Sequence, residues 1–233
     1  MTYFYGDIHG NPKELCETCE RIKVGHGDVL ILLGDVGANY YGNKRDKLVK
    51  EKLDYFPPTS LCIHGNHEQR PENIDGYELI DWNGGKVWVQ PEYPSILFAR
   101  DGDIYTIGKY RYLVIGGAYS VDKFYRLKRG YGWWEDEQPS AEIKAYVEKQ
   151  LEEKEFDIIL SHTCPFKYEP IEAFLPMIDQ DSVDDSTERW LDDIENRVDY
   201  TAWFCGHWHI DKRIDRVHFL YKKLESVDNI RKG

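Results

Sequence analysis

Short apolar runs that end in glycine and in acidic or histidine residues constrain the fold of this chain most strongly. Thr2–Tyr5 ends in Gly-Asp-Ile-His-Gly, and Val29–Leu33 ends in Gly-Asp. Helical spacing follows each run, over Pro12–Val24 and over Lys44–Tyr55. An uninterrupted apolar run such as the second is typical of a strand buried on both faces. This alternation predicts a central parallel sheet covered by helices.

The middle of the chain has a different pattern. Helices are predicted over Ala141–Glu155 and Thr187–Arg197, and a closing hairpin over Ile214–Tyr221. Gly, Pro and Asp separate a set of strand-like runs, which we expect to form a meander that adds a second sheet or extends the first. These runs are Lys86–Val89, Ser95–Ala99, Ile104–Ile107 and Tyr112–Ile115.

Two segments are expected to lie outside this framework. Val121–Glu137 is dense in charged and aromatic residues and is predicted to be an inserted loop. Pro165–Asp185 is acidic, contains proline and shows no clear period, so we expect a surface excursion there. No linker, repeat or low-complexity tract interrupts the chain, which we therefore interpret as a single domain over residues 1–233.

The composition argues against several partners. The formal net charge is −12, and an acidic surface repels a phosphate backbone, so long nucleic acid is not expected to bind. No stretch approaches the roughly 20 apolar residues that a membrane helix needs, so no membrane contact is expected. The N-terminus has no apolar signal core, and five scattered cysteines suit a reducing compartment. We therefore expect a cytoplasmic protein, while the oligomeric state is left open.

Metal-capable side chains follow five of the apolar runs. Besides the first two, Leu61–Ile63, Ile158–Leu160 and Ala202–Phe204 end in His-Gly-Asn-His-Glu, Ser-His and Cys-Gly-His-Trp-His. Because ligands bind at the carboxyl ends of the strands in an open α/β sheet, five parallel strands would bring all these clusters to one edge. The side chains of interest are Asp7, His9, Asp35, Asn66, His67, His162, His207 and His209.

The chemistry of these side chains favours a metal centre. Imidazole and carboxylate groups suit manganese, iron, zinc and related ions. Asp7 and His9 are two residues apart and point the same way in an extended segment, and His207 and His209 repeat that geometry. Two ions roughly 3.5–4 Å apart, bridged by a carboxylate, would use the whole set. We expect two divalent or trivalent transition-metal ions, with manganese first and iron, zinc, nickel or cobalt as alternatives.

The ordered series Asp-x-His, Gly-Asp, Gly-Asn-His-Glu, His and Gly-His-x-His resembles the signature of the calcineurin-like metallophosphoesterase superfamily, including its small bacterial and phage members. The resemblance runs from Asp7 to His209 and implies an α/β sandwich of two mixed sheets flanked by helices. It implies that His67 is a catalytic histidine that binds no metal. The implied ligands are Asp7, His9 and His209 for the first ion, Asn66, His162 and His207 for the second, and Asp35 as the bridge between them.

The implied reaction is the hydrolysis of phosphate esters. Two cations lower the pKa of a bridging water, so that hydroxide forms near neutral pH and attacks phosphorus in line. His67 would stabilise the developing charge or protonate the leaving oxygen. We expect a small or nucleotide-like phosphorylated substrate in preference to a phosphoprotein. Monoester and diester substrates both remain open.

The Gly-Asp motif at Gly34 and Asp35 continues differently from that of the phosphoprotein-phosphatase branch of the family. That branch continues with an Asp that pairs with the catalytic histidine and an Arg that binds phosphate, where this chain has Ala38 and Asn39. Another residue must then bind phosphate if the metals do not do so alone. Arg126, in the inserted loop, is the first candidate and Arg70 the second, because arginine binds phosphate bidentately. The loop is interpreted either as a substrate wall or as a solvated segment with tryptophans in the core.

Three alternative functions remain. A Ser/Thr phosphoprotein phosphatase is disfavoured by the changed second motif. A nuclease of the same superfamily is disfavoured by the acidic charge. A non-catalytic binding scaffold on this fold is disfavoured because such scaffolds typically lose ligands or the catalytic histidine, and this chain keeps all of them.

Overall fold

Two mixed β-sheets lie face to face, and helices cover the outer face of each. The computed structural model describes residues 1–153 and 155–232. The architecture confirms the predicted class of two mixed sheets flanked by helices. The helices are α1 Lys13–Ile22, α2 Lys44–Asp54, α3 Lys123–Arg129, α4 Ala141–Glu153 and α5 Ser186–Glu195.

Seven strands form the first sheet. They are β1 Thr2–Tyr5, β2 Val29–Leu32, β3 Thr59–Cys62, β4 Glu78–Trp82, β5 Gly85–Val89, β6 Ile96–Ala99 and β13 Glu225–Ser226. Their order is β13-β1-β2-β3-β6-β5-β4. Strands β1, β2, β3 and β6 are parallel, and antiparallel strands extend the sheet on both sides.

Six strands form the second sheet. They are β7 Ile104–Ile107, β8 Tyr110–Ile115, β9 Ile158–Ser161, β10 Ala202–Cys205, β11 Lys212–Ile214 and β12 Val217–Phe219. Their order is β11-β12-β10-β9-β8-β7, with β12, β10, β9 and β8 parallel and an antiparallel strand at each edge. The predicted meander is therefore divided between the sheets, and the predicted hairpin is β11–β12.

Each central strand is buried on both faces because its alternate side chains enter different layers of the core. In β2, Leu30 and Leu32 pack in the layer that contains Leu15 of α1. Ile31 points the other way, into the layer between the sheets. Phe4 of β1 and Phe204 of β10 stack across that layer with ring centroids 3.9 Å apart. Helices α4 and α5 cover the outer face of the second sheet in the same way.

Two predicted segments differ in detail from the structure. Lys123–Arg129, expected within a loop, forms α3, which ends at Gly130 in the left-handed conformation. This segment contains no Gly or Pro, and its Lys, Arg and Leu residues favour a helix, which explains why the predicted loop is helical here. The excursion at 165–185 is interrupted by 3₁₀ turns at Phe166–Tyr168, Ile171–Ala173 and Gln180–Ser182.

Other differences lie at edges and ends. Strand β4 was not predicted because it is a largely exposed edge strand that lacks a buried apolar face. Helix α4 was predicted to reach Glu155, but residue 154 lies outside the described residues, as does the last residue of the predicted domain, 233. Within the described ranges, no helix is long and apolar enough to cross a membrane.

Candidate metal centre

The loops after five parallel strands meet at one end of the sandwich, three from the first sheet and two from the second. The backbone N–H of His9 donates to the carbonyl of Asp35 at 2.8 Å, which joins the loops after β1 and β2. The N–H of Gly206 donates to the carbonyl of His162 at 3.0 Å, which joins the loops after β10 and β9. The N–H of His207 donates to Asp7 Oδ1 at 2.9 Å and connects the two sheets. The polar clusters therefore meet at one edge as predicted, but that edge is formed by the strand ends of two sheets.

Asp7, His9 and His209 form the first group of converging side chains. The Nε2 atoms of His9 and His209 are 2.9 Å apart. Asp7 Oδ2 lies 3.2 Å from His209 Nε2 and 3.9 Å from His9 Nε2. Asp7 Oδ2 is buried and has no hydrogen-bond partner among the described residues. A buried carboxylate oxygen facing two imidazole nitrogens suits a cation held between them.

Asn66, His162 and His207 form the second group. Asn66 Oδ1 lies 2.9 Å from His162 Nε2 and 3.1 Å from His207 Nδ1. Three polar atoms thus approach one another, as the ligands of a single ion do. An amide oxygen with two imidazoles is a donor set for the same ions that suit the first group.

Asp35 lies between the two groups and is almost fully buried. Its Oδ1 is 3.5 Å from His162 Nε2, and its Oδ2 is 3.9 Å from His9 Nε2. The backbone N–H of His67 donates to Oδ1 at 2.7 Å and holds the carboxylate in this orientation. One oxygen of Asp35 therefore faces each group.

Backbone strain is concentrated at this edge. The described chain contains seven non-glycine residues with positive φ, and four of them are His9, Asp35, His207 and His209. Non-glycine residues rarely adopt a positive φ, and this backbone conformation persists only where the surrounding structure imposes it. The hydrogen bonds between the loops supply that constraint here. The fold therefore holds these four side chains in positions that the local sequence alone would not favour.

Outer contacts orient the ligands of the second group. His162 Nδ1 lies 2.7 Å from the carbonyl oxygen of Leu33, which can only accept, so Nδ1 carries a proton and Nε2 is the atom that faces the centre. Asn66 Nδ2 donates to Ser120 Oγ at 2.8 Å, which turns Asn66 Oδ1 toward the imidazoles. The Ser120 hydroxyl donates to Glu137 Oε2 at 2.5 Å and is thereby fixed as an acceptor.

Burial and mutual charge set the protonation of these groups. Burial alone would raise the pKa of Asp35, but the charge of His162 holds it well below its ordinary value. Burial alone would lower the pKa of His162, yet Asp35 and Asp7 raise it to about 9. Burial, followed by the charge of His162, lowers the pKa of His207 to about 3. The two carboxylates thus favour the protonated form of His162, while the ring of His207 stays neutral and can bind a metal through a nitrogen lone pair. A bound cation would replace the second proton of His162.

Glycines allow the close approach of the loops. A Cβ atom on Gly65 would lie 2.1 Å from Asp35 Oδ1, and one on Gly34 would lie 2.1 Å from His162 Nδ1. Gly34 also has a φ of 98°, which other residues rarely adopt. Any side chain at either position would displace a candidate ligand.

His67 lies beside the centre, next to a carboxylate that the sequence analysis did not identify. Asp122 Oδ1 is 3.9 Å from His67 Nε2, and Asp122 reaches this position from the start of α3. Burial lowers the pKa of His67, and the charges of Asp35 and Asp122 oppose that effect. The ring of Tyr40 stacks on His67 at a centroid distance of 6.3 Å. The position expected for such a carboxylate, Ala38, is buried in the core.

The two arginines expected to bind phosphate lie in the interior. Arg126 is 1 % exposed and donates to Gly132 O at 2.7 Å and to Ser120 Oγ at 2.8 Å. Arg70 is 5 % exposed and donates to Asp101 Oδ2 at 2.7 Å. Both guanidinium groups are engaged in contacts that hold loops together. Phosphate binding by either arginine stays a prediction, and this buried placement does not support it.

A cavity of about 690 Å³ opens beside the candidate ligands. His9, Asp35, Asn66, His67 and His207 line one side. Further lining residues come from the excursion at 165–185 and from α5, where the sequence predicted only a surface segment and a helix. Val121 and Asp122 also line the cavity, so the predicted loop reaches the site at its first residues.

A two-sheet sandwich with Asp, Asn and His side chains collected at one end defines the class of metal-dependent phosphoesterases. Residues 2–211 match the calcineurin-like phosphoesterase family, and the chain belongs to that family. It is therefore a hydrolase of phosphate esters. No curated protein sequence matches the chain significantly.

Solved structures with the same fold include a phosphopantetheinyl hydrolase from Mycobacterium tuberculosis. It has 16% sequence identity and a TM-score of 0.52, and the match covers 94% of this chain and 87% of the other. A protein from Thermus thermophilus has 12% identity and a TM-score of 0.54, with 96% of each chain covered. At these identities the likeness shows the fold alone.

Proposed function

We propose that this protein hydrolyses phosphate esters with two metal ions. The first would be held by Asp7, His9 and His209, with Asp35 shared between both ions. The second would be held by Asn66, His162 and His207. The observation that carries this proposal is the orientation of Asp35, whose two oxygens face different groups of ligands.

When bound, the ions supply a water of lowered pKa and neutralise charge on the phosphoryl oxygens. The other steps belong to the protein. Asp7 and Asp35 provide the negative charge that attracts cations, and Ser120 keeps the Asn66 oxygen aimed at the centre. His67 carries a proton to the leaving oxygen, and Asp122 favours the protonated form of its ring.

The substrate is proposed to be small. The cavity volume lies within the usual range for small-molecule sites, roughly 300–1,000 Å³. Asn39, where the phosphoprotein-phosphatase branch has Arg, is 3 % exposed and accepts from Tyr77, so it offers no positive charge to a phosphoprotein. Manganese is the proposed metal because hard carboxylate and amide oxygens accompany the imidazoles. A cytoplasmic location is proposed from the five free cysteines.

Metal analysis combined with a substrate panel tests the proposal. Protein stripped with a chelator and reloaded with manganese should contain two ions per chain and hydrolyse p-nitrophenyl phosphate, bis-p-nitrophenyl phosphate or cyclic nucleotides. Asp35→Asn should lose metal and activity together, because a neutral amide cannot supply the shared charge. His67→Ala should keep its metal and lower kcat about 10²–10⁴-fold. A single ion per chain, or full activity in Asp35→Asn, would overturn the assignment.

A further inference from the structure

The cavity lining beyond the candidate ligands has its own chemistry. Phe174 stacks on Trp208 with ring centroids 5.6 Å apart and an interplanar angle of 23°. Leu175 and Ile178 line the same cavity. This wall therefore offers an apolar and aromatic surface to whatever part of a substrate extends from the phosphate.

Carboxylates line the same cavity. Those that line the cavity outside the metal centre are Asp122, Glu169, Asp181, Asp185 and Glu188. Arg189 is the sole Lys or Arg among the described residues that line it. Its guanidinium binds Asp185 bidentately, with Nε–Oδ1 and Nη2–Oδ2 distances of 2.8 and 2.6 Å, and lies over the ring of Phe166. The positive charge of Arg189 is thus paired. Asp122 lies 3.6 Å from Arg126 Nη1, so the excess of acidic groups in the lining comes from Glu169, Asp181 and Glu188.

Glu188 is the most informative of these carboxylates. It is 5 % exposed, and its Oε2 has no hydrogen-bond partner among the described residues. A buried charge without a partner is costly, so native proteins rarely retain one without a ligand or other use. Burial raises the pKa values of Glu188 and Glu169 to about 7, although a contact with the Thr163 side chain opposes the rise at Glu188 and the charge of Arg189 opposes it at Glu169. No Lys or Arg in the described part of the chain acts as a partner of Glu188. A cation in the cavity would supply that partner.

We propose that the substrate is a phosphate ester whose organic group carries both a positive charge, such as a protonated amine or quaternary ammonium, and an apolar face. This proposal rests on the proposed function, because the phosphate is placed at the metal centre. The cationic group then lies near Glu188 and Glu169, and the apolar face packs against Phe174 and Trp208, where an aromatic ring also attracts a cation. Substrates with further phosphates or carboxylates are disfavoured, because these would face the acidic wall.

Three phenyl phosphates that differ only at the para position test the charge preference. The substituents are aminomethyl, hydroxymethyl and carboxymethyl, which are cationic, neutral and anionic at neutral pH. With metal-loaded enzyme, kcat/KM should be highest for the cationic ester and lowest for the anionic one. The ratio between these two should be about ten- to a hundredfold, as expected for one charge-assisted contact. An equal or reversed order would overturn the proposal.

Charge-neutral variants locate the origin of the preference. Glu188→Gln and Glu169→Gln should each reduce the cation-to-anion ratio severalfold, with the ratio measured within each variant. Asp193→Asn removes one charge from the exposed face of α5, outside the cavity lining, and should leave the ratio unchanged. If both Glu variants keep the wild-type ratio, the wall is not the cause and the proposal is wrong.

Hydrolysis of p-nitrophenyl phosphate distinguishes a failure of the substrate inference from a failure of the proposed function. If the metal-loaded enzyme hydrolyses it without preferring the cationic ester, the substrate inference alone fails. If no metal supports its hydrolysis or that of the three para-substituted esters, the proposed function fails and the inference falls with it.

Discussion

The carboxylate of Asp122 reaches the ring of His67 from a segment 55 positions later in the chain (122 − 67). A histidine that donates a proton needs a partner that favours its protonated form, particularly beside metal cations, which oppose that form. The carboxylate of Asp122 lies 3.9 Å from His67 Nε2 and can serve as this partner. We therefore interpret Asp122 as a positioning residue that acts through His67.

Asp122→Asn should lower kcat about tenfold and leave the metal content unchanged, because the amide keeps the shape and removes the charge beside His67. The loss should be larger for an alkyl phosphate than for p-nitrophenyl phosphate, whose leaving group needs little protonation. The measurement is kcat for both esters, together with metal analysis. Asp75→Asn at an exposed position is the control. Equal losses for the two leaving groups would contradict the role given to Asp122.

Ser120 orients the Asn66 amide, and its removal should weaken the second metal group. Ser120→Ala leaves Asn66 Nδ2 without its acceptor, so the amide loses its fixed orientation. Loss of such an outer contact typically lowers metal affinity about 10–100-fold. Metal titration of stripped protein measures the change. Ser60→Ala is a matched control, since Ser60 is equally buried but its hydroxyl has no partner in the described part of the chain. Equal affinities in the two variants would exclude this role.

The candidate ligands could be predicted from sequence, whereas the residues that orient them could not. Asp7, His9 and Asp35 follow strand-like runs within a recognisable ordered pattern. Ser120 and Asp122 belong to no such pattern, and their contacts with Asn66 and His67 form only when α3 packs beside the loop after β3. The burial of Arg126 has the same origin, because its contact with Ser120 depends on the folded loop.

The loops after the strands are built around close contacts that exclude side chains. Gly65→Ala should push Asp35 aside, because the added methyl group would lie 2.1 Å from Asp35 Oδ1. We expect weaker binding of both metals and a large loss of activity, measured by metal titration and by kcat. Gly25→Ala is the control, since the nearest atom to its Cβ is 3.9 Å away. Wild-type metal binding in Gly65→Ala would show that the loop can shift without affecting the ligands.

Strands with buried apolar runs were predicted well, because burial on both faces leaves a clear sequence signal. Strand β2 is an example, with four buried residues. Strand β4 leaves no such signal, since most of its side chains are exposed. The excursion at 165–185 lacks a period for a different reason: it lines a cavity instead of packing as a regular helix or strand.

The sandwich explains why the centre uses residues from both ends of the chain. Asp7 and His207 are 200 positions apart, yet the N–H of His207 donates to the Asp7 carboxylate. Two sheets with parallel centres place their strand ends side by side, so each sheet contributes some of the candidate ligands. Neither half of the chain holds a complete set, and assembly of the site depends on the packing between the sheets.

The stability of the whole molecule should report the buried acid at Glu188. Burial raises its pKa from 4.5 to about 7, so the folded state binds a proton that the unfolded state has already lost between these values. The contribution of Glu188 to the free energy of unfolding therefore falls as pH rises through this window and is constant above it. The corresponding cost at pH 8 is at most about 3 kcal/mol.

Glu188→Gln cannot ionise and should escape this cost. Relative to the wild type, the free energy of unfolding of the variant should change little at pH 4.5 and increase by up to about 3 kcal/mol at pH 8. Urea denaturation of chelator-treated protein, followed by tryptophan fluorescence at both pH values, measures the difference. Asp193→Asn removes an exposed charge from the same helix and should show no comparable pH dependence. A difference between Glu188→Gln and wild type that is the same at both pH values would show that Glu188 is ionised throughout, with a cationic partner already in the fold.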